Sequence, residues 1–139
     1  MEQEDFIKRQ IDQLGRVLGT ILADLIGLKA QGQISEGIEA ADKELKKKLD
    51  LNVDNLTSIS TEKFIKTLQE GKKLSNDNFD KLVDILFLLT EELDERNTDN
   101  EKKNKLYERS LTIYEHLEYT SSTYSFDRHF KIEKIINAL

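Results

Sequence analysis

Residues 5–29 read DFIKRQIDQLGRVLGTILADLIGLK, and the periodicity of this stretch decides the fold. Ile7, Ile11, Leu14, Leu18, Ile21, Leu25 and Leu28 recur at alternating steps of four and three, a helical period and not the alternation of a strand. Phe6, Val17, Leu22 and Ile26 flank the stripe and make it wider than a two-position coiled-coil seam. The expectation is one continuous helix over 4–29 with other helices against more than one of its sides. Arg16 and Asp24 interrupt the apolar run well short of the ~20 residues a membrane span needs, so no membrane partner is expected.

A second pattern runs beside the first. Gly15, Gly19, Ala23 and Gly27 recur every four residues as a strip of small side chains. Glycine inside a helix costs about 1 kcal/mol relative to alanine, so three of them require compensation. Close approach of another helix supplies it, from the same chain or from the second copy in a homodimer.

Composition narrows the class. With 139 residues the chain is the size of a single domain with a core of its own, spanning 1–139. Apolar residues make up 37% and charged ones 35%, too hydrophobic and too periodic for a disordered chain. The absence of proline permits long helices. The absence of cysteine removes disulfides, thiolate nucleophiles and sulfur-ligated metals together. No basic segment, apolar core and cleavage site opens the sequence, which makes a cytoplasmic location the expectation. A net charge of −6 argues against nucleic acid as a partner. The one tight basic run, Lys46, Lys47 and Lys48, reads as the complement of a helix C-terminus.

Taken in order, the pattern predicts further helices over 33–49, 61–69, 78–96, 99–120 and 126–138, about six in all. Gly32 breaks the first, and Gly71 ends the short helix over 61–69. Residues 50–60 read as an ordered loop whose Leu51, Val53 and Leu56 tuck under the helices, with Leu74 returning to the core from a later loop. Ser58 or Ser60 is expected to cap the short helix, and Ser125 the last one. Asp77 with Asp80, and Thr98 with Glu101, have capping-box spacing. Residues 78–96 are apolar on nearly every side near their middle, as befits a central helix. Their acidic end, Glu91, Glu92, Asp94 and Glu95, runs against the helix dipole, and Lys102, Lys103 or Lys105 is expected to neutralise it. The fold class is all-α: antiparallel helix pairs in an array or irregular bundle around a long N-terminal helix.

The stretch Leu106-Tyr107-Glu108-Arg109-Ser110-Leu111-Thr112-Ile113-Tyr114 resembles the second helix of a tetratricopeptide repeat, with Tyr107 three positions before the small Ser110. Lys103 stands where the repeat carries alanine, the closing proline is missing, and no 34-residue period extends through the chain. The whole chain is also similar to a family of small bacterial proteins grouped as a domain of unknown function. The likeness lies in Asp5-Phe6-Ile7-Lys8-Arg9-Gln10-Ile11, Leu56-Thr57-Ser58-Ile59-Ser60-Thr61-Glu62 and Tyr124-Ser125-Phe126-Asp127-Arg128. It implies a helical, repeat-like domain and brings no catalytic residues.

His116 and His129 are the two histidines. His129 and Glu133 stand one turn apart, a spacing that ligates metals, but two ligands without a cysteine make a poor zinc site. Asp50, Asn52 and Asp54 alternate oxygen donors, yet Leu56 stands where a calcium loop needs glycine. Phosphate-cradling glycine motifs are absent. No catalytic residue, cofactor or metal is therefore assigned. Tyr107, Tyr114, Tyr119, Tyr124, Phe126 and Phe130 concentrate aromatic area in the last third, and with the Gly/Ala strip they form the candidate interaction surface. The leading expectation is a non-enzymatic helical scaffold that binds protein, either itself or another chain. The alternative is a small enzyme or metal-binding bundle using acidic residues and the two histidines, a class that normally carries Glu-x-x-His motifs missing here.

Overall fold

The stripe of residues 5–29 folds as one unbroken helix, α1 (Glu2–Ala30), with Gly15 and Gly19 inside it. This computed structural model describes residues 2–71, 74–95, 100–121 and 125–139. The side chains of Ile7, Val53, Asp94 and Glu95, the Thr98 cap and Tyr124 lie outside the described residues. Leu18, Ile21 and Leu25 are buried and Leu14, Val17 and Leu22 pack partly against the same core. Phe6 and Ile26 do not join them and stay exposed.

Gly32, at φ +72°, turns the chain out of α1, and the Gln33 amide donates back to the Leu28 carbonyl at 2.7 Å. The helix α2 (Ile34–Leu49) then returns antiparallel along α1. It ends in its three lysines, with Asp50 in the left-handed region and its amide on the Lys46 carbonyl. Within residues 50–60, expected as an ordered loop, the chain forms a short helix. Asn52 and Asn55 form a reciprocal capping box that starts the short helix α3 (Val53–Ser58). The expected loop there is thus a helix, too short to show a period, while Leu51 and Leu56 are buried as expected.

The helix α4 (Thr61–Gly71) follows, burying Phe64 and Leu68 and ending at Gly71. Leu74 returns to the core from the next connection. The helix α5 (Asn76–Glu95) opens one residue before the expected capping box, which places Asp77 inside its first turn. Its first turn is closed by Ser75, whose Oγ accepts from the Asn78 amide at 3.3 Å. Leu82, Val83, Ile85, Leu86, Phe87 and Leu89 are all buried, which makes α5 the central rod. It touches α1, α2 and α6 (Asn100–Thr120). Both α3 and α4 lie across α6, and α7 (Phe126–Ala138) packs on α6 as well, capped by Ser125 as expected. The described residues form seven helices and no strand.

Candidate functional site

The Gly/Ala strip divides between two settings. A four-residue step advances ~40° beyond a full turn of an α-helix, so the strip winds from the core side of α1 to its outer side. Gly15 is buried at the crossing with α5. A Cβ there would stand 2.9 Å from Asn78 Oδ1 and 3.3 Å from Lys81 Nζ. Those two side chains bond the backbone of α1: Asn78 Nδ2 donates to the Ile11 carbonyl at 3.1 Å, and Lys81 Nζ to the Gly15 carbonyl at 3.2 Å. Gly19 and Gly27 meet nothing within 4 Å, and Ala23 and Gly27 are exposed. Ala23 and Gly27 line an open cleft of about 430 Å³ between α1 and α2, together with Gly37 and Ala40. The closest approach within the hairpin is at Gly37, where a Cβ would push aside the end of the Leu28 side chain. Its place opposite Leu25 and Leu28 follows from the antiparallel pairing of α1 and α2, which the sequence of α2 alone does not give.

The aromatic residues also separate. Tyr107 and Tyr114 are buried, so neither offers surface to a partner. Tyr119 is 91% exposed, Phe126 83% and Phe130 64%. Phe126 and Phe130 stand one turn apart on α7, on the side opposite the fully buried Ile135. Ile136 and Leu139, also on α7, are more than half exposed.

The inner side of α7 is fastened by cations at steps of three. Arg128 Nε bonds Glu118 at 2.7 Å, Lys131 Nζ lies 3.0 Å from both Asp84 and Asp127, and Lys134 Nζ lies 2.5 Å from Glu91. Both lysine ammonium groups also lie 5.7 Å from the centre of the Phe87 ring. Glu91 takes Lys29 of α1 at 3.1 Å as well, so one carboxylate joins α1, α5 and α7. At Glu91 the neutralising cations come from α1 and α7, whereas the side chains of Asp94 and Glu95, the rest of the acidic end, lie outside the described residues. Lys102 stands 3.6 Å from Asp54 and Lys105 3.3 Å from Glu101, while Glu91 draws on helices distant in sequence.

Asp84 is the polar centre of this contact. It accepts from the Tyr114 hydroxyl at 2.9 Å and from Lys131. Burial and the Asp84 charge hold the Tyr114 hydroxyl protonated far above its ordinary range. Burial pulls the Lys131 ammonium down, but its bonds to Asp127 and Asp84 outweigh this and raise it. Partial desolvation pushes the Asp80 carboxyl up, and Asp84 one turn on adds repulsion that Arg128 and Lys131 only partly offset. The opposed charge steps of α5 and α7 are readable in the sequence, but only once those two helices are known to be neighbours.

Arg109 is a second buried cation. Nη1 donates to Thr61 Oγ1 at 2.6 Å and Nη2 to the Thr57 carbonyl at 3.4 Å, tying the end of α3 and the start of α4 onto α6. Its guanidinium carbon lies 5.8 Å from the Phe64 ring centre. Among the described residues, Arg109 Nε and Ser110 Oγ are buried without a hydrogen-bond partner. A charge on the face that carries Leu106 and Ile113 was the sequence signal for this role.

The two histidines stand apart in function. His116 packs against Phe79 at 5.5 Å and lies 3.4 Å from Gln69 Nε2, bridging α6 to α4. His129 lies 3.1 Å from Glu133 on the exposed surface of α7. Among the described residues no three His, Asp or Glu side chains converge in a metal-holding group, and no helix is long and apolar enough to cross a membrane. Asp50, Asn52 and Asp54 serve as helix-end groups: Asp50 pairs with Lys46 at 2.8 Å, Asn52 caps α3, and the Asp54 carbonyl accepts from Thr57 and Ser58.

Comparison with family models, with curated proteins and with solved structures finds no match to this chain.

Proposed function

We propose that the chain is a non-enzymatic helical interaction module that binds protein through the outer face of α7. One observation carries this reading. The helix is apolar on two opposite sides, with Ile135 in the bundle and Phe126 and Phe130 in water. A helix that only closes a bundle needs one apolar side, and exposed aromatic pairs supply much contact area at little entropic cost. The buried charges support the same reading, because Arg109, Arg128 and Lys131 are engaged in holding helices together. The antiparallel α5–α6 pair, with Tyr107 and Ser110 buried at its contact, suits a tetratricopeptide-like helical pair. Membership in the bacterial family of small helical proteins, and a cytoplasmic setting, belong to this proposal.

The test is a photo-crosslinking amino acid at position 130, with position 39 on the exposed face of α2 as the control, illuminated in cells expressing the chain. Intermolecular polypeptide adducts from position 130 and none from position 39 are the expected result. No intermolecular adduct from position 130 would remove the reading.

A further inference from the structure

The α1–α2 hairpin carries a groove that runs along most of its length. Three open clefts of about 410, 340 and 430 Å³ follow one another there. The first two share Val17 and Lys48, and the last two share Ile21, Asp24 and Glu44, so they form one trough from Gln10 to Gln31. Charge is sorted along its middle. Arg16 and Lys48, each sixteen residues from Gly32, stand at one end of the central cleft, and Asp24 and Glu44 lie nearer the turn. All four are exposed, and among the described residues their side chains make no ion pair or hydrogen bond. Other charges of α2 at the same spacing do pair: Glu39 with Lys43 and Lys46 with Asp50, on the side of the helix turned away from the groove.

We infer that this groove is covered by the same groove of a second copy, with α1 against α1 and α2 against α2, each pair antiparallel. The two-fold axis crosses α1 at Thr20 and α2 midway between Glu44 and Lys48. Arg16 then faces the partner's Asp24, and Lys48 faces the partner's Glu44. Each contact occurs twice, as an isologous interface requires, and no member leaves a bond in its own chain to make it. Elsewhere on the face Gln13 meets the partner's Gly27 and Val17 meets the partner's Ala23, so no like charges are opposed. The crossing point on α2 lies two residues farther from Gly32 than the one on α1. That is ~3 Å of rise over an interaxial spacing of ~9 Å, which inclines the axis by about 20° and crosses the facing helices at about 40°, within the range of packed helices. A parallel pairing would instead set Arg16 against the partner's Lys48, a like-charge contact that disfavours association. Two short hairpins crossing at this angle overlap over less than the ~800 Å² per partner of a standard complex, so the dimer exchanges with monomer. This inference is independent of the reading of α7.

Sedimentation of the full chain over a concentration series tests this. The expected mass rises from 16.1 kDa in dilute solution toward twice that value as the concentration reaches the order of several hundred micromolar, and added sodium chloride weakens the association. Asp24→Arg is expected to weaken it about tenfold, because the axis repeats the repulsion against Arg16. Adding Arg16→Asp to the same chain restores it, since the exchanged charges again face their opposites. Both positions are exposed, so far-ultraviolet circular dichroism should stay unchanged in each variant. Phe130→Glu is expected to associate as the wild type does, which keeps this face separate from α7. A constant 16.1 kDa throughout would overturn the inference. So would a double variant as weak as Asp24→Arg alone, or loss of association in Phe130→Glu. A crosslinker at position 20 that captures only a different polypeptide would also overturn it and give the groove to another protein. The crosslinking test of α7 is decided apart from these outcomes, because its control position 39 lies on the far side of α2 from the groove.

Discussion

Gly19 and Gly27 lie inside α1 with open space where a Cβ would stand. Nothing in the bundle offsets their helix cost, so Gly19→Ala and Gly27→Ala are each expected to stabilise the fold by about 0.5–1 kcal/mol in urea unfolding. Gly37→Ala is expected to destabilise it, because the added methyl displaces Leu28 from the α1–α2 contact. A loss at Gly27→Ala would show that the cleft closes on that residue in solution. The spacing of the strip was legible in the sequence, but its setting was not: a period of four winds around a helix, so Gly15 and Gly27 belong to different surfaces. A further residue-level outcome concerns Asp80. Its carboxyl is raised, so the folded chain holds that proton more tightly than the unfolded one does. The resulting stability is full at acid pH and is lost as pH rises through the folded-state titration. Asp80→Asn should therefore be the more stable form at neutral pH, with an advantage that disappears on acidification. Equal unfolding midpoints at neutral and acid pH would contradict this.

Helix ends were the elements most legible from sequence, because their signals are local: Gly32, Gly71 and Ser125 each act within a turn of where they stand. The helix α3 escaped notice since six residues are too few to show a period, and its Asn52–Asn55 box lacks the usual Glu. What fastens α7 was hidden for a different reason. Its partners on α5 are distant in sequence, and one apolar residue, Ile135, is fully buried beneath it. The charged bonds thus carry a large share of the docking. Lys131→Met leaves Asp84 half-buried with only the Tyr114 hydroxyl among the partners described, and should cost about 1–2 kcal/mol. Hydrogen exchange should quicken in α7 well before it does in the centre of α5. Uniform acceleration across both helices would mean that α7 does not open on its own.

At the scale of the whole molecule, α5 is the element through which the two halves communicate. It touches the α1–α2 hairpin and also α6, to which α3, α4 and α7 attach. Charged links run the same way, since Glu91 of α5 is reached from α1 and from α7. A layered bundle of this kind unfolds as one unit only if its shared layer is tightly packed, and Leu82, Val83, Ile85, Leu86, Phe87 and Leu89 in the middle of α5 are buried. Leu86 is fully buried there, and Leu86→Ala removes its methyl groups and leaves a cavity. The expected loss is about 3 kcal/mol. Because α5 is common to both halves, the slowest-exchanging amides of α2 and of α6 should lose the same protection, and calorimetry should keep a single transition. Protection lost in α6 but retained in α2 would show that the hairpin is stable without its central rod.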